Sequence, residues 1–271
     1  MVVGLIGLGN MASAIIGGLR ASTALKDTTI VGYDPVCEKG KELAKKYGIR
    51  RATSEREVLA LCDTLILAVK PQILPTLLPT VSQDVKANCL VVSIAAGKPL
   101  SFYEEIFPVG TAVVRAMPNI NAQVRSAVTA ICAGRYVTET QLGVAKSIFE
   151  TIGAVFELEE NLFSAFTGIS GSAVAFAYMY IDAVAKAGAK AGIDRETALA
   201  ISAAATLGSA KMIEASSHTP EELVKMVCSP GGTTIEGVGS LQEDDFSGVL
   251  ERAVNAVIQK DKKLAQGSRQ E

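Results

Sequence analysis

The chain has 271 residues, of which 20% are charged and 49% hydrophobic, and a formal net charge of -2. That length buries a full core and accommodates two domains. So small a net charge provides no basic field to attract nucleic acid or anionic lipid. The five cysteines (Cys37, Cys62, Cys89, Cys132, Cys228) form no C-x-x-C pair and read as reduced thiols of a cytoplasmic protein. His218, the single histidine, lies in a polar loop, which excludes a histidine-based metal site. No stretch approaches about 18 uninterrupted apolar residues, so no membrane span is expected; 173–181 comes nearest and Asp182 ends it. Residues 1–7 lack a basic leader and run straight into a glycine turn, as a buried strand does.

In chain order, residues 2–6 form an apolar strand that ends at the glycine turn, and 12–19 continue with helical character. A second strand over 29–34 stops at Asp34-Pro35, and a charged helix over 38–47 closes at Gly48. Further strands are expected over 64–69, cut by Lys70-Pro71, and over 90–94, 112–116 and 127–132. Apolar runs separated by helices, rather than alternating patterns, predict a parallel sheet covered on both faces, the doubly wound arrangement.

Beyond Asn161 the strand signals stop. Residues 163–188, 195–215, 220–226, 234–242 and 246–264 read as helices, with N-caps at Asp194 and Thr219 and stops at Gly188 and Gly192. The run 260–263 reads as a solvated helix end. Residues 183–210 are rich in Ala, Gly and Ser, so helix axes approach closely, and helices without polar faces predict packing against a second subunit. The expected fold class is α/β: an N-terminal Rossmann domain with a doubly wound parallel sheet, residues 1–160, and an all-helical domain, residues 161–271, that binds substrate and dimerises.

Two motifs carry the chemistry. Gly7-Leu8-Gly9-Asn10-Met11-Ala12 is the G-x-G-x-x-A form of the dinucleotide fingerprint, between a strand and a helix as its mechanism requires. Gly7 permits the turn, Gly9 lets the backbone approach a pyrophosphate, and Ala12 lets the helix pack close to the sheet. Asp34 ends the second strand, where an acid accepts hydrogen bonds from ribose hydroxyls and repels a 2′-phosphate, which favours NADH. It reads alternatively as a cap of its own turn, and Arg50 and Arg51 reach the same region, so NADPH stays open as the cofactor. Ala68-Val69-Lys70-Pro71 and Ser93-Ile94-Ala95-Ala96-Gly97 end strands at the same sheet edge, the latter with small residues over which a nicotinamide ring or ribose packs; Met117-Pro118-Asn119 follows the fifth strand there. Lys70 reads equally as a solvated loop lysine.

The second motif is Ser229-Pro230-Gly231-Gly232-Thr233-Thr234 at a helix start, where two glycines turn successive amides toward one point and form an anion nest. A substrate carboxylate fits, with one hydroxyl left to face its reacting end. There is no histidine-acid pair, nucleophile elbow or carboxylate cluster with metal-ligand spacing. Hydride transfer to a protonated imine matches this set, because the substrate already carries the charge that attracts hydride.

Taken together, the fingerprint, residues 68–71, 93–97 and 117–119, Thr167-Gly168-Ile169-Ser170-Gly171-Ser172 and residues 229–235 resemble the Δ1-pyrroline-5-carboxylate reductase family over nearly the whole chain. The resemblance implies reduction of a cyclic imine carboxylate to L-proline with NADPH or NADH, the last step of proline biosynthesis. It also implies a homodimer through the helical domain, in a family whose dimers often assemble into decameric rings. It places the carboxylate on Ser229 and the amides of Gly232, Thr233 and Thr234, with the Thr234 hydroxyl toward the ring nitrogen.

The chain departs from the family pattern at Ala173-Val174-Ala175-Phe176, where Gly-Pro-Ala-Tyr is usual, and at Asn119-Ile120-Asn121, where Asn-Thr-Pro is usual. Arg125-Ser126 replaces a pair that normally includes glycine. These leave open a related cyclic imine as substrate, or a regulatory, non-catalytic cofactor-binding role. A β-hydroxyacid dehydrogenase shares the opening Gly-Leu-Gly-Asn-Met, but its catalytic lysine position falls on Ala177.

Overall fold

The computed structural model describes residues 1–267; positions 268–271 of the expected helical domain lie outside the described residues. The chain divides into two compact units, Met1–Gly171 with the chain end from Ile258, and Ser172–Val257.

The first unit is built on strands β1 (Val2–Ile6), β2 (Thr29–Tyr33), β3 (Arg50–Arg51), β4 (Thr64–Leu67), β5 (Leu90–Ser93), β6 (Ala112–Pro118), β7 (Ala127–Ala133) and β8 (Gly153–Glu157). They lie in the order β3-β2-β1-β4-β5-β6-β7-β8. Its helices are α1 (Asn10–Ala21), α2 (Cys37–Tyr47), α3 (Glu55–Leu61), α4 (Leu74–Asp84), α5 (Leu100–Glu104), α6 (Glu139–Glu150) and α7 (Phe163–Phe166). Successive β-residues point to opposite faces, so Val3 and Leu5 join Ile15, Ile16 and Phe149 in one buried layer. Ile6 and Leu65 join Val58, Leu59, Leu78 and Tyr103 in the other. Both faces are covered, as the unbroken apolar strands require. Chain order reverses beside β1, which pairs with β2 on one side and β4 on the other. In open α/β sheets this switch point is where ligands bind.

The sheet departs from the expectation in three places. β7 runs antiparallel to β6, because only residues 119–126 connect them and a parallel crossover needs about a dozen or more. β3 is two exposed arginines with no apolar signal, held beside β2 by the Ala52 amide donating to the Gly32 carbonyl at 2.9 Å. β8 extends the edge beyond β7 with a mostly exposed GAVFE.

Nor is 163–188 one regular helix. After α7 the chain winds as a π-helix over Thr167–Ser172 before α8 (Ala173–Lys190). Gly188 lies inside α8 rather than at its end; an added Cβ there would sit 3.5 Å from the Ala198 Cβ. Gly192, with φ +104°, makes the turn that follows. Glu160–Lys190 is long and apolar enough on average to cross a bilayer by length and composition, although Ser, Thr, Gly and Asp182 interrupt it and no uninterrupted apolar run of about 18 residues occurs. Its first half, however, is tied to the sheet unit: Phe163 and Phe166 are buried in the layer around Tyr103.

The second unit contains α8, α9 (Arg195–Ala215), α10 (Pro220–Val227), α11 (Thr233–Glu243) and the first part of α12 (Phe246–Gly267). Asp194 caps α9 by accepting the Glu196 and Thr197 amides, and Thr219 with Glu222 forms a capping box on α10. Ser202 Oγ donates to the Ile181 carbonyl at 3.0 Å, so α8 and α9 meet through small side chains. Within Ser172–Val257 only Ala185, Ala198 and Ser202 are buried. Met179, Ile201, Leu207 and Met212 are all more than half exposed.

Candidate functional site

The fingerprint forms the turn between β1 and α1. Gly7 has φ +91°, where side chains are strained, and a Cβ there would lie 2.7 Å from the Ala68 carbonyl oxygen. Its amide donates to the Tyr33 carbonyl at 2.9 Å, and the Leu8 amide donates to Asp34 Oδ2 at 2.9 Å. Gly9 occupies the N-cap of α1 without any side-chain cap, and the space its missing Cβ leaves is open. The first amides of α1 are therefore free to receive a pyrophosphate, with the positive end of the helix behind them. Ala12 is buried, which brings α1 close to the sheet; Met11 is half-buried and Asn10 exposed. A cleft of about 140 Å³ beside the turn is lined by Leu8, Gly9, Asn10, Ser13, Lys39 and Glu42. These residues fit a dinucleotide.

Asp34 is more occupied than the sequence implies. Oδ2 accepts the Leu8 amide and Oδ1 the Val36 amide, each at 2.9 Å, while Lys39 Nζ lies 3.2 Å from Oδ2 and 3.4 Å from Oδ1. The side chain is 7% exposed. Burial pushes its carboxyl up, but the two amides and the ammonium outweigh burial and hold it below the usual carboxylate range. The acid thus caps its own turn and clamps the fingerprint loop at once.

The other expected cofactor residues follow β4, β5 and β6 at their carboxyl ends. The Ala68 amide continues the β1 pairing at 2.8 Å from the Ile6 carbonyl; Val69 is half-buried, Lys70 is exposed, and Pro71 opens a short 3-10 turn. Ala95 is buried, its amide donating to Ser93 Oγ at 3.3 Å. Ser93 in turn meets the Tyr103 hydroxyl at 2.6 Å, and burial pushes that phenol up to about 12. Asn119 turns its side chain inward, donating to Ser170 Oγ at 3.2 Å and accepting the Val128 amide at 3.3 Å. The π-helical Thr167–Ser172 segment is therefore what holds Asn119 in place.

The anion nest belongs to the second unit. Gly231 has φ +70° and the Gly232 amide donates to the Ser229 carbonyl at 2.9 Å, which closes the turn. Gly232 is the N-cap of α11, again with no side-chain cap, and a Cβ on it would collide with Ser229 Oγ. Ser229, Thr233 and Thr234 are exposed, and among the described residues their hydroxyls make no hydrogen bond. Three hydroxyls and the first-turn amides of α11 are thus available to one small anion.

Two contributors carry no sequence signal. Lys39 stands in a charged run with Lys41, Lys45 and Lys46, and only the fold brings it to Asp34. Arg115, on β6, is 6% exposed: it bonds Glu160 Oε1 at 3.0 Å and lies 4.4 Å over the Phe163 ring. Glu160 Oε1 also accepts the Leu100 amide at 2.7 Å.

Residues 160–264 match the family model for pyrroline-5-carboxylate reductase dimerisation, and residues 2–97 that for NADP oxidoreductase, coenzyme F420-dependent. The pyrroline-5-carboxylate reductase of Methanosarcina acetivorans is 41% identical over 256 residues, covering 94% of each chain. Among solved structures, the 1-pyrroline-5-carboxylate reductase of Streptococcus pyogenes superposes with a TM-score of 0.87 at 32% identity, covering 97% of this chain and 98% of the other. The Plasmodium falciparum pyrroline carboxylate reductase, solved with NADP bound, gives a TM-score of 0.87 at 28% identity and 98% coverage of both chains.

Proposed function

The chain belongs to the pyrroline-5-carboxylate reductase family, and we propose that it reduces 1-pyrroline-5-carboxylate to L-proline with NADPH or NADH. A bound nicotinamide supplies the hydride to the imine carbon, and the nitrogen of the protonated imine becomes the secondary amine of the product. In this reading, Gly7, Leu8, Gly9, Asn10, Met11 and Ala12 hold the pyrophosphate, and Asp34 secures that loop. Ala68, Val69, Lys70, Pro71, Ala95 and Asn119 shape the strand ends along which the cofactor lies. Ser229 and the amides of Thr233 and Thr234 bind the substrate carboxylate, Gly232 presents them by closing the turn with its own amide on the Ser229 carbonyl, and the Thr234 hydroxyl orients the ring nitrogen. The observation that carries the assignment is the open turn at 229–234, with unpaired hydroxyls and uncapped amides, in a chain that also carries the fingerprint.

A homodimer is part of this reading, with labour divided between residues 1–160 for the cofactor and 161–271 for substrate and association. Its support is the dimerisation match and the near absence of buried residues in Ser172–Val257, which a second copy covers in place of lipid. Assembly of dimers into a decamer and a cytoplasmic location, in keeping with five free cysteines, belong to the same proposal. The test is NAD(P)H oxidation, followed by absorbance, with pyrroline-5-carboxylate and homologous cyclic imines. Turnover with the five-membered imine supports the proposal. Binding of cofactor without turnover of any imine points instead to a non-catalytic, cofactor-binding role.

A further inference from the structure

A carboxylate offers about four lone-pair positions, and Asp34 uses them on Leu8, Val36 and both contacts with Lys39. A ribose hydroxyl approaching Asp34 therefore meets Lys39 first. The Lys39 side chain is 44% exposed and lines the cleft beside the glycine turn, so it is anchored on one side and solvated on the other. Its charge cancels the repulsion that a bare acid at the end of β2 exerts on a 2′-phosphate. A second cation, Arg51 of β3, packs against the same turn of α2. Arg51 Nη2 donates to Cys37 Sγ at 2.9 Å, and its Nε would lie 3.2 Å from a Cβ placed on Gly40. Glu42, exposed on the cleft wall, is the opposing charge; Glu38 is engaged by Lys41 at 2.7 Å.

Building on the assignment of the fingerprint to NADPH or NADH, we propose that Lys39 is the specificity-determining residue that admits the 2′-phosphate of NADPH, with Arg51 in support. Lys39 bridges Asp34 and the phosphate, so the chain accepts NADPH although its second strand ends in an acid. Asp34 remains the clamp on the loop, and its pairing with Lys39, rather than its charge alone, sets the preference.

Calorimetric titration with 2′,5′-ADP and with 5′-ADP tests this without turnover, since neither ligand carries nicotinamide. The unmodified protein is expected to bind 2′,5′-ADP more tightly. Lys39→Met is expected to weaken 2′,5′-ADP by about tenfold or more, the worth of one charge-assisted hydrogen bond, while 5′-ADP binding holds or improves and so reports an intact fold. Arg51→Met should produce a smaller loss in the same direction. Kinetics add a parallel readout: the kcat/KM ratio of NADPH to NADH falls in Lys39→Met. Equal loss of both ligands, or an unchanged ratio, overturns the role of Lys39 while leaving the dinucleotide reading intact. If the unmodified protein binds neither ADP nor NADH, the dinucleotide reading fails and the role of Lys39 fails with it.

Discussion

Asn119 Nδ2 and Ser170 Oγ are joined at 3.2 Å between two buried side chains fifty-one positions apart in sequence. The orientation of the amide follows from its other end, since the Val128 N–H can donate only to Oδ1. Ser170→Ala removes one partner and should cost about 1 kcal/mol. Asn119→Ala also strands the Val128 amide and should cost more, about 1–3 kcal/mol. Urea denaturation measures both, and the reverse ranking would show that Asn119 is not the hub of this contact.

Thr234→Ala should lower kcat about tenfold to a hundredfold, the effect of losing one well-placed hydrogen bond of about 1.5–3 kcal/mol. The motivation is the exposed Thr234 hydroxyl, unpaired at the start of α11. Steady-state kinetics with saturating cofactor decide it. Unchanged turnover would leave the backbone amides as the operative donors.

Asp34 predicts a pH dependence of stability. Its folded pKa is depressed, so it stabilises the fold fully above its unfolded value of about 3.9. That contribution is lost as pH falls through the lower folded value. The stability gap between the parent and Asp34→Asn should hold from neutral pH down to about pH 4 and close below it. Chemical denaturation at several pH values provides the comparison; a gap that closes near neutrality would assign the stabilisation to another group.

Arg125 is exposed and left-handed, with φ 56°, at the end of the 3-10 turn over Ile120–Val124. A non-glycine residue there pays about 1–2 kcal/mol, and glycine returns part of this through unfolded-state entropy. Arg125→Gly should therefore raise stability by about 0.5–1 kcal/mol, visible as a higher Tm. A lower Tm would mean that the arginine side chain makes up for its backbone.

Ala187 and Ala204 are both exposed on the single chain, so an aspartate at either position is tolerable in a monomer. In a dimer formed by α8 and α9 it buries an unpaired charge at a cost of several kcal/mol. Sedimentation should show dissociation of Ala187→Asp and Ala204→Asp, with activity lost in parallel. A parent protein that sediments as an active monomer would refute the interface.

Much of this was legible beforehand for local reasons. Gly7, Gly9 and Ala12 are demanded by a turn and a close helix approach, and Gly231-Gly232 with its hydroxyls by an uncapped helix start; such constraints act within a few residues and leave a pattern. The apolar runs of β1, β4 and β5 mark strands buried on both faces, and Asp194 and Thr219 mark helix starts. Arg50–Arg51 and Gly153–Glu157 escaped because edge strands are specified by neighbours, not by their own hydrophobicity.

The sequence alone thus determined the class of fold, the two glycine turns that open helices and the family, because short-range backbone requirements and burial periodicity are written residue by residue. Only the tertiary structure decided that β7 turns antiparallel, that Asn119 faces Ser170, and that the carboxylate of Asp34 is already shared between Leu8, Val36 and Lys39. Those pairings depend on which groups the packed sheet brings within about 3 Å, and a lysine in a run of lysines carries no mark of the partner that the fold will choose for it.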